Sequence, residues 1–596
     1  MADPQSTFDL DPTRSRRAAA RPDVVEPRTT NEFPRFAGQV FKRPPRYHQE
    51  VGARGELDDY TAHAYQYATS SKPGELQPAA IVYCANEADV ALAVQYAKSA
   101  GVAVAVRTGG HHFWGFSSTA DQNIQVDLSG FRQFSYDEAS RTVTCGVGLK
   151  LEELDEKLGA LGAFVPHGQC GAVRLGGHLQ SGGFSVLCGR SFGWFSDHVV
   201  SFRIVTADLR TRVVHRPDPA RPHVDDELWF AAIGGSPGNF GVVTEMTLRP
   251  LWDVDHPESR TMTVYMHYTP EAHEALLQIV ADFNDDDELP ADFNVCTFIL
   301  GAHPVVLRQN IDTRMMKERH ELYGEGMEPH PTIIGLWATW CNLDGGAFSE
   351  EARAFFDELD RRTRPLLSKR DRLAAKLLGP IVGKVVPVRT PDQAVPMSVL
   401  TDAYCFPKRV HANPYVSATW CGQSQQTASN GFARWARDAT AEVEAQPGCY
   451  PDFEWVVCGG RHSRNRPAGE AHSAVAWRDV TMLCFQYVHF DNTDHLGRDW
   501  AAPRAFSEAW VDRTKRGGVG PDGVLGRDDR RWNAFPEQDE DLDQERAHYF
   551  QSEEVYERVL AVKRAVDPDD VFTANRFCVG ASRKYGAGRA RTVQSA

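Results

Sequence analysis

The chain has 596 residues, 42% of them hydrophobic, with a formal charge of −15 and a pI of about 5.8. That apolar content is enough for a large core in two or more domains, and the acidic balance argues against general nucleic-acid binding. No run of 18 apolar residues occurs, so no transmembrane helix is expected.

Residues 1–45 read as a polar arm. The cluster Arg14-Ser15-Arg16-Arg17 is followed by no apolar segment, so it does not read as a signal peptide. Residues 46–255 are expected to form a first domain. Within it, 79–82 reads as a strand. Asn86 reads as an N-cap, and 88–99 as a helix with Val90, Ala93, Val94 and Ala97 on one face, closed by Gly101. The apolar run 102–106 predicts a buried strand, completing a β-α-β unit with parallel pairing. It runs into Arg107, Thr108, Gly109 and Gly110, where the glycines let the backbone turn tightly beside a ligand, and His111 and His112 sit at the mouth of the turn.

Strands are predicted at 124–128 and 142–147, and a helix at 149–161 with Leu151, Leu154 and Leu158 inward. Residues 163–193 are too glycine-rich for helices or ordinary strands and suggest backbone wrapped around something flat or phosphorylated. A hairpin about Asp208 is expected from 198–206 and 211–215. Then 226–249 gives a short helix, a glycine loop and a strand. From 256 to 544 the texture changes. Strand candidates 260–267, 332–341 and 472–489 alternate with helices 271–284, 350–368 and 431–445, as in an antiparallel sheet with helices on one face. Residues 517–543 read as a surface loop and 553–566 as a helix. Residues 545–582 are expected to return to the first domain, leaving 583–596 as a tail. The fold class is therefore α+β, in two domains.

Twelve cysteines include no CxxC pair, which fits free thiols in a reducing cytoplasm. His111 and Cys170 are the chemical pair: both lie in glycine-rich loops, and both side chains are nucleophiles near neutral pH. One reading makes His111, His112, Cys170 and His178 metal ligands, but HxH, HExxH and CxxC spacings are absent. The other is covalent attachment of an electrophilic cofactor. No metal is expected on the second reading.

The motifs Arg107-Thr108-Gly109-Gly110-His111 and Gly168-x-Cys170-x-x-Val173-x-x-Gly176-Gly177-His178-x-x-x-Gly182-Gly183 resemble those of the berberine-bridge-enzyme-like flavin oxidases. So do Gly238-Asn239-Phe240-Gly241-Val242-Val243 and Asp567-Pro568-x-x-x-Phe572 with Asn575 beyond. That group lies in the vanillyl-alcohol-oxidase superfamily, with a PCMH-type FAD-binding fold. The resemblance implies a bipartite FAD domain and a substrate domain whose antiparallel sheet is covered by helices. It implies FAD held by two covalent bonds, from His111 to the 8α-methyl carbon and from Cys170 to C6 of the ring. Arg107, Thr108, Gly109, Gly110, His112, Gly115, Val173, Gly176, Gly177, His178, Gly182, Gly238, Gly241, Val243 and Asn575 become expected flavin contacts. Glycine turns after Arg107 and around Gly234 would offer N–H groups to the pyrophosphate. No GxGxxG follows the first strand, which argues against a Rossmann fold.

The implied activity is oxidation of an alcohol on a sugar or secondary metabolite. Hydride goes to flavin N5 and O2 accepts the electrons, giving H2O2; Val173 matches a position associated with oxygen access. Oxidative cyclisation or desaturation of a natural product is the alternative on the same flavin, and a flavin-binding protein without turnover is the alternative of another class. The partners are a small-molecule substrate and O2, with no nucleic acid and no membrane, in a monomer or homodimer. This sequence departs from the family pattern at several places. His112 stands where Ser is usual, Arg174 where Gly is usual, and Phe184 and Phe535 where tyrosines commonly act. Replacement bases are sought at Tyr487 and His489, which share one face of a strand, and at Glu454 on another strand candidate.

Overall fold

The computed structural model describes residues 33–44, 59–64, 76–112, 115–301, 332–369, 371, 391–405, 415–422, 426–465, 473–490, 501–518, 523–524, 532, 549–550, 552–575 and 578–581. The first sheet holds β1 (Gln39–Lys42), β2 (Ala80–Tyr83), β3 (Val104–Arg107) and β4 (Ile124–Asp127), in the order β1-β2-β4-β3. Between β2 and β3 runs the helix Glu87–Ala100. The Asn86 side chain accepts from Asp89 N at 3.0 Å to start it, and Gly101 ends it with φ of 67°. The strands β2 and β3 are parallel but do not pair with each other. β4 inserts between them, so the expected adjacent pairing is corrected to a crossover that skips one strand.

The second sheet is antiparallel. It takes β5 (Phe134–Asp137) and β6 (Thr142–Gly146), then, after the short β7 (Ala163–Phe164), β8 (Val199–Val205), β9 (Thr211–His215) and β10 (Val242–Leu248). Their order is β5-β6-β10-β8-β9, with β8 and β9 forming the expected hairpin. A two-residue strand, β11 (Leu251–Trp252), pairs with β7. The third sheet has six antiparallel strands: β12 (Arg260–His267), β13 (Phe293–Leu300), β14 (Ile333–Trp340), β15 (Tyr415–Gly422), β16 (Cys449–Val457) and β17 (Met482–Phe490). Their order is β12-β14-β13-β16-β17-β15. Helices Pro270–Asp285, Phe432–Ala445 and Ala501–Gly518 cover one face.

The faces of that sheet alternate with period two. Phe453, Trp455, Met482 and Cys484 pack into the helix-side core, while Val456, Leu483 and Phe485 join the core shared with the first two sheets. The predicted strand 472–489 begins only at Met482, because the segment before it is irregular and tucks Trp477 against Trp194. The strand β13 has no counterpart among the expected ones. Its sequence is apolar almost throughout and buried along its length, so no alternation marks it. Most of 517–543 lies outside the described residues, but Trp532 within it is buried, not on the surface. No helix among the described residues is long and apolar enough to cross a membrane.

The C-terminal helix Glu553–Val566 packs on the helix Asp226–Ala232. Its Lys563 is buried, bonding Asp567 Oδ2 at 2.6 Å and Asn239 O at 2.7 Å. Asp567 in turn accepts from the N–H groups of Val571 and Phe572. The Lys563 hydrogen bond to Asn239 O thus ties the returning segment to the glycine loop before β10, with Asp567 balancing its charge. Lys563→Met leaves Asp567 charged and buried, and is expected to cost about 3–5 kcal/mol in urea unfolding at neutral pH.

Candidate active site

An open cleft of about 1910 Å³, counting solvent at its mouth, lies where the three sheets meet. The loop after β3 brings Thr108, Gly109, Gly110, His111 and His112 to it. The turn before the helix Leu175–Gln180 brings Gly168, Cys170 and Val173, and the helix adds Gly176, Gly177 and His178. Gly238, Val243 and Asn575 complete this wall. The two nucleophiles, far apart in sequence, therefore open onto one cleft. A Cβ added at Gly177 would meet no protein atom within 4 Å, so it would stand in the space left for a ligand. Ser236, a non-glycine residue at φ of 102°, lines the same cleft, a strained conformation of the kind found at ligand clamps. These residues fit a flavin: two nucleophiles of the right type, a glycine-lined wall and a backbone shaped for close approach.

Two residues outside the sequence expectations brace that wall. Gln180 accepts from Gly238 N at 3.0 Å and donates to Gly176 O at 2.9 Å, joining the two glycine loops. Asn239 donates to Phe572 O and accepts from Val579 N, joining them to the C-terminal return. Their roles depend on partners 58 and more than 300 residues away, which local sequence does not reveal.

Burial pushes the His111 imidazolium down to about 3, and the cations Arg107, Arg174 and Lys150 push in the same direction. His111 is therefore a neutral imidazole at physiological pH. That is the nucleophilic form. His178 is also held neutral, at about 3, chiefly by burial. Its Nε2 accepts from Gly168 N at 3.4 Å, which braces the turn before Cys170. His112 is half-buried on the cleft, its ring against Phe116. Arg174, where a glycine was expected, donates to Ser129 O and Gly148 O and packs its side chain against Gly109.

Arg107 was expected to contact the cofactor and does not line the cleft. It is buried beside Asp127 on the neighbouring β4, 2.7 Å away. Burial alone would push the Asp127 carboxyl up; Arg107 and a hydrogen bond to His63 overcome this and hold it at about 2, against an ordinary 3.8. The lowered value adds stability that is complete above pH 3.8 and is lost as pH falls through 2. It amounts to about 2 kcal/mol. Asp127→Asn is expected to abolish that acid-side slope and to destabilise the protein at neutral pH by more than this, since Arg107 is left buried. Unfolding midpoints measured at a series of pH values check both. Gly115, Gly182 and Gly241 are also absent from the cleft wall. Gly182 and Gly241 are kept small by the Trp194 ring and the Val205 carbonyl.

The third sheet closes the opposite side. Asp452 and Glu454 on β16 and Phe485 and Tyr487 on β17 line the cleft, and the register sets Asp452 opposite Tyr487 and Glu454 opposite Phe485. Cross-strand partners share a face, so two carboxylates and a phenol project together. Asp452 was not expected; the signal was present as acidic residues at alternate positions of an otherwise apolar strand. His489 lies on β17, opposite Tyr450 of β16, and its side chain falls outside the described residues. Phe535 also falls outside them. Phe184 lines the cleft, set edge-on to Trp194 and Trp477, and Trp532 adds a further aromatic wall, its Nε1 donating to Ser181 O at 2.6 Å.

Residues 78–214 match the FAD binding domain model, so this part of the chain is an FAD-binding domain. The fold around it is that of the berberine-bridge-enzyme-like flavin oxidases. Physcomitrella patens BBE-like 1 superposes with a TM-score of 0.58 at 18% identity, over 90% of this chain and 96% of that one. The 6-hydroxy-D-nicotine oxidase of Arthrobacter nicotinovorans superposes at 0.61 and 18%, over 91% and 97%. Among curated relatives, the aclacinomycin-N/aclacinomycin-A oxidase of Streptomyces galilaeus is 37% identical over 174 residues, which is 28% of this chain and 31% of that protein. The sequence match thus spans about a third of that relative's length.

Proposed function

We propose that the chain is an FAD-dependent oxidase with flavin bonded to both His111 and Cys170, oxidising an alcohol with O2 as acceptor and releasing H2O2. The observation that carries this reading is the opening of both nucleophiles onto one cleft whose far wall bears Asp452, Glu454 and Tyr487. FAD, when bound, supplies the two-electron acceptor. The chain's own residues do the rest. His111 and Cys170 hold the ring, Gln180 and Asn239 fix the loops around it, and the carboxylate of Glu454 takes the hydroxyl proton as the carbon–hydrogen bond breaks. Tyr487 orients the hydroxyl, and Phe184, Phe485 and Trp532 exclude water.

These aromatic walls suit a secondary metabolite with an extended apolar body better than a simple sugar. The relative named for aclacinomycin supports the same choice. The described cysteines carry free thiols, which supports a cytoplasmic setting. The test is direct: yellow colour that survives acid precipitation, and peroxide release in a screen of aromatic alcohols and sugars. A colourless precipitate overturns the covalent cofactor. Absence of peroxide with every alcohol, from a fully flavinylated preparation, overturns the oxidase.

A further inference from the structure

Behind the turn that carries Cys170, three side chains of different chemistry converge. Asp155 comes from the helix Leu151–Gly159, His167 from the segment after β7, and Cys405 from just beyond the helix Met397–Ala403. One ligand-capable atom of each lies within 4.8 Å of the others, and all three residues are buried. His167 Nδ1 is 2.8 Å from Gly168 O, and a carbonyl only accepts, so Nδ1 carries its hydrogen. Nε2 is thereby aimed at Asp155 Oδ1, 2.8 Å away. Metal-binding histidines commonly show this arrangement, with one ring nitrogen tied to a carbonyl and the other presented. The Cys405 thiol in turn hydrogen-bonds the buried Asp155 carboxylate, so all three side chains already face one another.

We propose that Asp155, His167 and Cys405 form a zinc site that staples the helix Met397–Ala403 to the FAD-binding half of the chain. Imidazole nitrogen, carboxylate oxygen and thiolate sulfur are a zinc donor set, and three protein ligands leave one position for water. The exposed Asp402, whose carbonyl accepts from Cys405 N at 3.1 Å, is a further carboxylate close enough to act on Asp155 and His167. Charge balances on exchange. Without metal the group holds an aspartate, an imidazolium and a thiol, with no net charge. With Zn²⁺ it holds an aspartate, a neutral imidazole and a thiolate, again with none. Binding therefore releases two protons, one from His167 and one from Cys405, and oxidises nothing. The proposal does not depend on the oxidase reading.

The test uses the full-length holoprotein, stripped with a chelator, dialysed, and incubated with ZnCl2. The expected result is about one zinc per chain by plasma emission, release of about two protons per zinc in weakly buffered solution, and a raised thermal midpoint. His167→Gln and Cys405→Ala should each lower zinc affinity by more than about 10-fold. Wild-type protein that retains no zinc, or variants that retain as much as wild type, would overturn the site and leave a buried aspartate–imidazolium pair. So would zinc binding without proton release, a measurement that needs no variant to fold.

Discussion

The double variant His111→Ala/Cys170→Ala is expected to lose all its flavin on acid precipitation, while each single variant keeps flavin on its remaining bond. Intact mass before and after precipitation reads this without an activity assay. The two nucleophiles are held by different means, so the single variants should differ. His111 is half-buried on the cleft, and desolvation together with the cations Arg107, Arg174 and Lys150 keeps it neutral, so its bond forms from an already reactive imidazole. Cys170 is likewise half-buried, but sits on a turn braced by His178 and by the hydrogen bond from Val173 N to Cys170 O of 3.0 Å. Once His111 is gone, FAD still binds through the glycine-lined wall and the Cys170 bond still forms. Flavin that stays attached to the double variant would move the attachment to other residues, His112 first among them.

Much of the cofactor side was legible because glycine patterns and nucleophiles are local. A stretch with glycines at 176, 177, 182 and 183 has few structural alternatives. What was not legible depends on register between distant segments. Arg107 was placed on the cofactor because nothing in the sequence shows that β4 slides between β2 and β3 and sets Asp127 beside it. Asp452 was overlooked for the same reason: its position opposite Tyr487 is a property of the β16–β17 pairing. The strand β13 escaped because a strand buried on both faces has no polar alternation. Trp532 escaped because a charged, glycine-rich neighbourhood hid one buried ring.

Glu454→Gln is expected to lower kcat by about 10²–10⁴ while leaving flavin content and thermal midpoint near wild type. The amide keeps the shape of the side chain and cannot accept the hydroxyl proton. Glu454 shares its face with Asp452 and Tyr487, so the three must be separated by their kinetics. Tyr487→Phe removes one hydrogen bond to the substrate and should cost about 10-fold, mostly in KM. At neutral pH an ordinary phenol holds its proton and an ordinary carboxylate has lost its own, so the carboxylate is the better base. Glu454→Ala should regain part of its rate on addition of formate, which re-enters the vacated space and supplies the missing oxygen. Formate should do nothing for Tyr487→Phe. A Glu454→Gln enzyme that turns over at the wild-type rate would transfer the proton to Asp452 on the same strand. Asp452→Asn would then have to show the kcat loss and the formate response that Glu454 lacked.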